Sequence, residues 1–403
     1  MTTRLMIRKK RAIGKGRMNR ENRAIRVITQ TPSFRLGYRK GRDQGYAVGY
    51  QNGTAKGFAD VMAVFSAMGR ALIITPSFEL PSLEIMLLQP FRAMAEQRLH
   101  RFTAKTEDTV TRADIESHDS IIFLRSVEPQ AFEWMQLAND LGKKTIYCID
   151  DNFLEIPEDT DVTSYYRDSA RRETFVKFLS SARIVKMDSP YFADYIKQSF
   201  NPRVVYFPSS VDFDWIDQSQ KPIRTDGLVV IGYEGTPKNE DFAPVIPALL
   251  SVLREYGGRV RLHFHGFVPG GLERHPWVAH FPIEKDYRTF MHSLNQKSWD
   301  IGIAPLSDSV FNFCKTNNKF REYSACAIPG IYSEAPAYRE CVIQGETGLM
   351  VPHTTEGWYA GLRQMIDDPE LRNRVKAQAG AIARQQYSIQ NSVECWLNLI
   401  LRV

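Results

Sequence analysis

The sequence predicts an α/β protein with two doubly wound parallel-sheet domains in tandem, facing each other across a cleft. Three observations lead to this prediction. Short β-branched runs alternate with amphipathic segments from Arg70 onward, the pattern of parallel strands covered by helices. The alternation stops at a polar stretch containing proline and glycine, SQKPIRTDG (219–227), and then restarts. Finally, 403 residues exceed what one typical core holds, so two domains are expected.

The first series of elements forms the predicted N-terminal domain, residues 70–218. Its expected strands are 70–75, 120–125, 143–150, 183–188 and 203–208, and its expected helices are 84–99, 131–142, 174–182 and 191–199. The second series forms the predicted C-terminal domain, residues 227–385. Its expected strands are 228–235, 259–266, 299–305, 329–333 and 347–351, and its expected helices are 240–256, 286–296, one starting near Asn317, 356–367 and 369–386. A closing helix at 390–402, within segment 386–403, is expected to pack back on the N-terminal domain.

Composition excludes several classes of protein. Hydrophobic content of 43% and charged content of 24% are ordinary for a soluble protein, and no apolar stretch approaches the roughly 20 residues that span a bilayer. The start of the chain has no apolar core of the kind a secretory signal needs. Five scattered cysteines without a CxxC pair argue against a disulfide framework or a zinc site. We expect a cytoplasmic protein. A peripheral location at a membrane or assembly surface is a second, open interpretation.

A basic N-terminal extension, residues 1–69, precedes the domains. Residues 1–42 carry fourteen Lys and Arg against one acid, whereas the rest of the chain carries a net charge of −7. This arm is either a tether to an anionic surface or a solvated tail. Residues 37–58 follow with a glycine at every fourth position, several of them preceding a tyrosine. This repeat is either a surface for self-association or a flexible linker, because six glycines cannot support an isolated helix.

The first candidate for chemistry is the turn in IGYEGTPKNED (231–241). A strand runs into Gly235 and Thr236 and then into a helix. Glycine lets the backbone approach a ligand closely, and N–H groups at a helix start can receive a phosphate. An ordinary tight turn between strand and helix is the competing interpretation.

The second candidate is CKTNNKFREYSACAIPG (314–330), which follows a predicted strand. Lys315 and Lys319 lie four residues apart, and a helix starting near Asn317 places Lys319 and Glu322 on one face. Two cations match a diphosphate, and a carboxylate can accept hydrogen bonds from both hydroxyls of a ribose. The alternative is an exposed, ion-paired helix start.

Further candidates end other predicted strands. Asp150 and Asp151 close KKTIYCID, a position from which one of them could remove a proton from a substrate hydroxyl or position a substrate; helix capping is the alternative for Asp151. Arg125 ends SIIFLR in a similar place. His263 and His265 share a face of one strand, but no third metal ligand lies nearby. His265 is therefore a candidate for lining a ligand pocket beside Gly266, and we expect no bound metal.

These motifs resemble those of the GT-B glycosyltransferases, in particular proteins related to glycosyltransferase family 4. In that family a glutamate precedes a proline by seven residues, as Glu322 precedes Pro329, and a second glutamate precedes a phrase like G-x-x-G-L-L-V, as Glu340 precedes Gly345–Val351. IGYEGTPKNEDF resembles the family's phosphate-facing turn, and YCIDDNFLEIP resembles a "DD" segment of a bacterial subgroup.

The resemblance implies two Rossmann-like domains, a nucleotide-diphosphate sugar as donor, and no required metal. By analogy Glu322 holds the ribose, Glu340 also contacts the donor, and Lys315, Lys319 and the turn at Gly235 and Thr236 stabilise the departing diphosphate. The family's sugar-contacting glutamate lies eight residues before the ribose-binding one, where this chain has Cys314. The donor sugar and the stereochemical outcome therefore do not follow from the resemblance.

Sequence reasoning thus leaves three hypotheses. The first is a glycosyltransferase acting on a polymer, glycolipid or protein acceptor. The second is a catalytically weakened GT-B scaffold that binds or assembles through its N-terminal extension. The third, nucleic-acid binding through the arm, finds no continuing basic surface in the acidic body.

Overall fold

The structure, a computed structural model, describes residues 68–158 and 162–403. The basic arm (1–42) and the Gly/Tyr repeat (37–58), with the anionic surface and the self-association predicted for them, lie outside the described residues. Residues Arg70–Val403 form one compact unit that contains two six-stranded parallel sheets. This arrangement confirms the predicted α/β class and its doubly wound sheets.

The N-terminal sheet has the strand order β2-β1-β3-β4-β5-β6. All five strand pairs are parallel, and β3 and most of β4 are buried runs of apolar residues, as expected for central strands covered on both faces. The strands are β1 Arg70–Thr75, β2 Arg101–Thr106, β3 Ser120–Leu124, β4 Lys144–Ile149, β5 Ile184–Met187 and β6 Val204–Tyr206.

The C-terminal sheet has the strand order β12-β11-β10-β7-β8-β9. When the strands are numbered from β7, the first strand of this sheet, the order is that of dinucleotide-binding folds. The strand order, not the strand direction, reverses between β7 and β10. The strands are β7 Val229–Glu234, β8 Val260–His265, β9 Val278–Phe281, β10 Ile301–Ala304, β11 Gly330–Ser333 and β12 Leu349–Val351.

Helices cover both sheets and begin with recognisable N-terminal signals. Thr111 and Asp114 form a capping box, and Pro190 opens a helix capped by Ser189. The helices are α1 Pro81–Leu83, α2 Gln89–Glu96, α3 Arg112–Ser117, α4 Pro129–Asp140, α5 Thr163–Arg167, α6 Ser169–Ser181, α7 Pro190–Ser199, α8 Phe213–Asp217, α9 Asn239–Phe242, α10 Val245–Tyr256, α11 Tyr287–Lys297, α12 Val310–Phe313, α13 Asn318–Ala325, α14 Pro336–Arg339, α15 Thr355–Asp367, α16 Pro369–Gln386 and α17 Ile389–Cys395. A π-helical stretch joins α1 to α2, and another extends α17 to Leu401.

The chain passes between the two sheet regions twice, and the two passages touch. The N–H of Val211 donates to the carbonyl of Tyr387 at 2.8 Å, and Val211 pairs with Ser388 in a β-bridge. Beyond this point the closing segment lies on the N-terminal sheet region: Trp396 is fully buried against Phe91 and donates to the carbonyl of Met86. The second passage therefore returns the end of the chain to the first sheet region.

The structure corrects three local predictions. Strands β2 and β9 were not predicted; both are edge strands whose half-exposed residues, RFTAKT and VAHF, have no continuous apolar run. The single helix predicted at 240–256 is two helices, α9 and α10. They are separated at Ala243 and Pro244, because a proline cannot donate within a continuing helix.

Candidate functional site

Most of the predicted site residues gather at the carboxyl ends of the two sheets, and His265 and Glu340 do not line the cavities there. In a doubly wound sheet, ligands bind in the crevice at the point where the strand order reverses. In the C-terminal sheet this point is bounded by Gly235, after β7, and the loop after β10. In the N-terminal sheet it lies between β1 and β3, and Arg125 directly follows β3.

Two adjoining cavities occupy this region and share Arg125 and Thr236 in their walls. The smaller, of about 230 Å³, we call the donor-side cavity. It is lined by Pro81, Ser82, Ile85, Arg125, Asp150, Glu234, Gly235, Thr236, Ile283, Glu284, Lys285, Tyr287, Phe290, Asn318, Lys319 and Glu322. The larger, of about 630 Å³, we call the outer cavity; Asp151, Lys238, Asp241, Asn312 and Lys315 are among its lining residues.

A three-residue charge cluster forms one wall of the donor-side cavity. Lys319, in the first turn of α13, forms an ion pair with Glu234 at the end of β7, and its Nζ lies 3.5 Å from Oε2 of Glu322. All three side chains are mostly buried. Burial lowers the pKa of Lys319, opposed by the charge of Glu322. The sequence thus correctly placed Lys319 and Glu322 on one helical face, but Glu234 was missed.

The turn after β7 is shaped by two glycines that face each other. Gly235 has a φ of 149°, and an added Cβ there would lie 2.6 Å from the hydroxyl oxygen of Tyr233. Gly266 has a φ of 82°, and an added Cβ there would lie 2.7 Å from the carbonyl oxygen of Gly235. The N–H of Gly235 already donates to the carbonyl of His265 at 3.1 Å. Gly235 therefore permits the close turn, and Thr236, which follows it, carries the next N–H.

A pair of side chains from different sheets meets in the outer cavity. Lys315 Nζ donates to Oδ1 of Asp151 at 2.6 Å and lies 4.0 Å from the centre of the Phe311 ring. Burial lowers the pKa of Lys315, although Asp151 opposes this shift. Nearby, Asp241 accepts hydrogen bonds from Ser307 and Asn312, so it fixes the loop after β10 to the start of α9.

Arg125 stands between the two cavities and next to both aspartates. Its Nε lies 3.4 Å from Oδ1 of Asp150, and its Nη2 lies 3.6 Å from Oδ2 of Asp151. Burial raises the pKa of Asp150, despite the opposing charge of Arg125. Burial also disfavours ionisation of Asp151, but Lys315 and Arg125 together hold its pKa below the usual range. The two neighbouring carboxyls therefore differ in character, and they line different cavities.

Arg125 also has an unusual backbone conformation. Its φ of 53° is in the left-handed region, which non-glycine residues seldom adopt. Strain of this kind costs about 1–3 kcal/mol and is concentrated at functional sites. The conformation places the guanidinium 4.9 Å from the centre of the Phe153 ring and within 3.4 Å of the Ser82 hydroxyl.

Three further residues from the sequence motifs lie away from the cavity walls. Cys314 is fully buried, and its sulfur accepts a hydrogen bond from Asn152 at 3.5 Å; burial raises its thiol pKa to about 12. His265 packs against Phe281 and Trp299, with burial lowering its pKa to about 4. Glu340 is exposed and accepts a hydrogen bond from Tyr206 at 2.8 Å. None of the three lines either cavity.

The residues missed by sequence reasoning are acids or cations next to those it found. Glu234 is a charged residue at the end of a buried strand, immediately before a glycine, and that position is the signal that could have identified it. Lys238 and Asp241 lie in the same turn region, 3.2 Å apart. The pairing of Lys315 with Asp151 had no sequence signal, because 164 positions separate them.

The described residues contain neither a metal-binding cluster nor a membrane-spanning helix. Within 68–158 and 162–403, no group of three or more His, Cys, Asp or Glu side chains is arranged to hold a metal ion. In the same part of the chain, no helix combines the length and apolar character needed to cross a membrane.

Comparison with known proteins identifies the fold. No family model and no curated protein matches the sequence. Among solved structures, HepE from Anabaena, in complex with UDP and glucose, matches with a TM-score of 0.58 at 13% identity, over 81% of this chain and 97% of HepE. A glycosyltransferase from Rickettsia africae matches with a TM-score of 0.57 at 12% identity, over 84% of this chain and all of the other.

A third match has the same extent. Sucrose-phosphate synthase from Thermosynechococcus elongatus gives a TM-score of 0.56 at 12% identity, over 81% of this chain and 96% of the synthase. Identities this low show the fold alone. The described part of the chain has the GT-B fold, as its resemblance to that group of glycosyltransferases led us to expect.

Proposed function

We propose that this chain is a glycosyltransferase that moves a sugar from a nucleotide-diphosphate sugar to an acceptor hydroxyl. One observation carries the proposal: a lysine, a carboxylate on the same helical face, and a glycine turn line one cavity at the switch point of a doubly wound sheet. Such a cavity offers a cation and backbone N–H groups to a diphosphate, and a carboxylate to a ribose.

In this proposal the nucleotide occupies the donor-side cavity. Glu322 accepts hydrogen bonds from the ribose hydroxyls, and Lys319 and the N–H of Thr236 face the diphosphate. During transfer, the bond between the anomeric carbon and the β-phosphate oxygen breaks, and charge accumulates on the leaving diphosphate. Fixed cations and N–H groups directed at that charge stabilise the transition state. We propose that these groups serve without a bound divalent ion.

The acceptor is proposed to enter through the outer cavity. Asp151 lines this outer cavity and Asp150 lines the donor-side cavity. If the configuration at the anomeric carbon inverts, one of them removes the acceptor proton as the new bond forms; if it is retained, they position the acceptor. Lys315 neutralises Asp151 and lies close enough to contribute charge near the reaction centre.

Location and partners are proposed from the sequence of the N-terminal extension alone. The basic arm, residues 1–42, is suited to hold the enzyme at an anionic surface that presents a polymer, glycolipid or protein acceptor. The repeat at 37–58 is the proposed segment for self-association. Deleting residues 1–42 should abolish binding to anionic vesicles at low salt without changing nucleotide affinity.

Nucleotide binding is the decisive test of the proposed function. HepE was solved with UDP, so uridine nucleotides are the first candidates; GDP-, ADP- and CDP-sugars complete the panel. At least one should raise the melting temperature. Glu322→Ala should weaken that ligand roughly 10- to 100-fold, because hydrogen bonds to a charged group contribute about 1.5–3 kcal/mol.

The control for this experiment is Glu133→Ala, which removes an exposed glutamate of α4 that lines neither cavity. It should leave the nucleotide affinity unchanged. A chain that no nucleotide stabilises, or one in which Glu322→Ala and Glu133→Ala bind equally well, would show that the cavity is not a donor site. The weakened-scaffold alternative would then be favoured.

A further inference from the structure

A second charged cleft lies at the amino ends of strands β10 and β11 of the C-terminal sheet. The proposed active site lies at the opposite, carboxyl ends of the strands. The cleft encloses about 340 Å³, and residues just before β10 and β11 line it. Its charged lining residues are Lys221, Arg224, Asp300, Arg372 and Lys376. None of them lines the donor-side or outer cavity. The cleft is therefore separate from the proposed active site.

Asp300, the one acid that lines the cleft, already accepts hydrogen bonds from other groups of the protein. Oδ2 of Asp300 accepts hydrogen bonds from Arg224 and from the N–H of Val230, both at 2.8 Å. Arg224 also forms an ion pair with Asp226. Arg224 is thus neutralised by two carboxylates, whereas Lys221, Arg372 and Lys376 form no ion pair with any carboxylate in the described ranges, 68–158 and 162–403.

These three cations retain hydrogen-bond donors that the protein does not use. Lys221 donates to the carbonyls of Cys326 and Ala327, which leaves one of its three N–H groups. Arg372 uses one guanidinium nitrogen, Nη1, for two carbonyls at the end of α15. Lys376 is exposed and has no hydrogen-bond partner among the described residues. Several N–H donors with net positive charge therefore face one concave space.

Lys221 and Lys376 are also close enough for their charges to repel each other. Burial lowers the pKa of Lys221 to about 8, and the charge of Lys376 contributes to this shift. The surrounding protein is acidic overall, since residues 43–403 carry a net charge of −7. An anion held between these side chains would relieve the repulsion and occupy the free donors.

We propose that this cleft binds a small doubly charged tetrahedral oxyanion: free phosphate, or the phosphate group of a small phosphorylated metabolite. Arg and Lys are the side chains that recognise such oxyanions, Arg through its planar fork of donors and Lys as a point charge. A volume of about 340 Å³ holds the oxyanion and leaves room for a body of monosaccharide size.

The test is calorimetric titration of the full chain with sodium sulfate, which remains doubly charged at neutral pH, at constant ionic strength. Wild type should show saturable binding. Lys376→Glu should weaken it at least tenfold, because it replaces a cation in the cleft with an anion. Arg374→Glu is the matched control: it makes the same charge change on the same helix, α16, at a residue that does not line the cleft.

Two comparisons separate the cleft from other anion sites. Lys319→Met alters the donor-side cavity and not the cleft, so it should keep the sulfate binding that Lys376→Glu removes, whether or not the proposed donor function is correct. Absence of saturable binding, equal weakening by Lys376→Glu and Arg374→Glu, or loss of binding in Lys319→Met would each overturn the proposal. Repeating the titration with inorganic phosphate and a hexose 6-phosphate identifies the source: tighter binding of the sugar phosphate indicates a metabolite, and equal binding indicates the free anion.

Discussion

Lys315 and Lys319 lie four residues apart and flank the start of the same helix, but their partners differ. Lys319 pairs with Glu234 and Glu322, both from the C-terminal sheet region, whereas Lys315 pairs with Asp151 from the N-terminal one. Burial lowers the pKa of both lysines. The difference is that the donor-side cluster is complete within one sheet region, while the outer-cavity pair exists only where the two regions meet.

From this comparison we expect the two lysines to have different roles. The three charged residues proposed for donor binding all belong to one region, although Arg125 and Asp150 of the other region line the same cavity. A pair that joins the regions depends on their contact, and Cys314, hydrogen-bonded by Asn152 directly beside Lys315, adds to the same junction. We therefore expect changes at Lys319 to alter nucleotide binding, and changes at Lys315 to alter the contact between the regions.

Removing Lys319 should have the largest effect. Lys319→Met leaves Glu234 and Glu322 mostly buried without their cation, which should cost about 3 kcal/mol of stability and lower the melting temperature by several degrees. UDP affinity should fall about 100-fold if UDP is the nucleotide bound, since truncating one partner of a buried charge pair costs about 2–5 kcal/mol. Uridine, which has no diphosphate, should be affected far less.

Calorimetric melting and titration with UDP and uridine measure both effects. Lys197→Met, which removes an exposed lysine from α7, is the control. If the two variants melt at the same temperature and bind UDP equally, Lys319 is not the diphosphate cation, and the contrast between the two lysines fails.

Separating Lys315 from Asp151 should have a smaller effect. Both side chains are about one-fifth exposed, so solvent weakens the pair. A double-mutant cycle of Lys315→Met and Asp151→Asn should give a coupling energy of about 1–2 kcal/mol in stability, with UDP affinity nearly unchanged. Additive effects would mean that the pair does not hold the two regions together, and a large loss of UDP affinity would place Lys315 in the donor site.

The sequence was sufficient where a local pattern determines the structure. Buried central strands such as SIIFL have continuous apolar runs, and the three-residue spacing of Lys319 and Glu322 requires only one helical turn. Edge strands β2 and β9 lack such a signal, because half of their surface is exposed and their composition is mixed. The prediction therefore captured the interior of each sheet and missed one edge of each.

The same limit explains the site. Lys319, Glu322 and Gly235 were found because each belongs to a short motif, although the roles proposed for them remain predictions. The contacts of Lys315, Cys314 and Glu340 are with residues more than 130 positions away, and these depend on how the two sheet regions pack. No spacing within one motif could have shown that Cys314 is buried beneath Asn152.

The smallest effect expected is also the sharpest, because its sign distinguishes the two carboxylates beside Lys319. In the proposed function Glu234, the ion-pair partner of Lys319, competes with an incoming diphosphate, whereas Glu322 binds the ribose. Glu234→Gln keeps the shape of the side chain but removes its charge, so it should tighten UDP binding about three- to fivefold, equivalent to roughly 1 kcal/mol. Glu322→Gln should weaken UDP binding, since a neutral amide is a poorer acceptor for ribose hydroxyls.

Titration calorimetry of both variants measures the two signs directly. Weaker binding in both would show that Glu234 itself contacts the nucleotide, and tighter binding in both would show that Glu322 acts only as a counter-charge to Lys319.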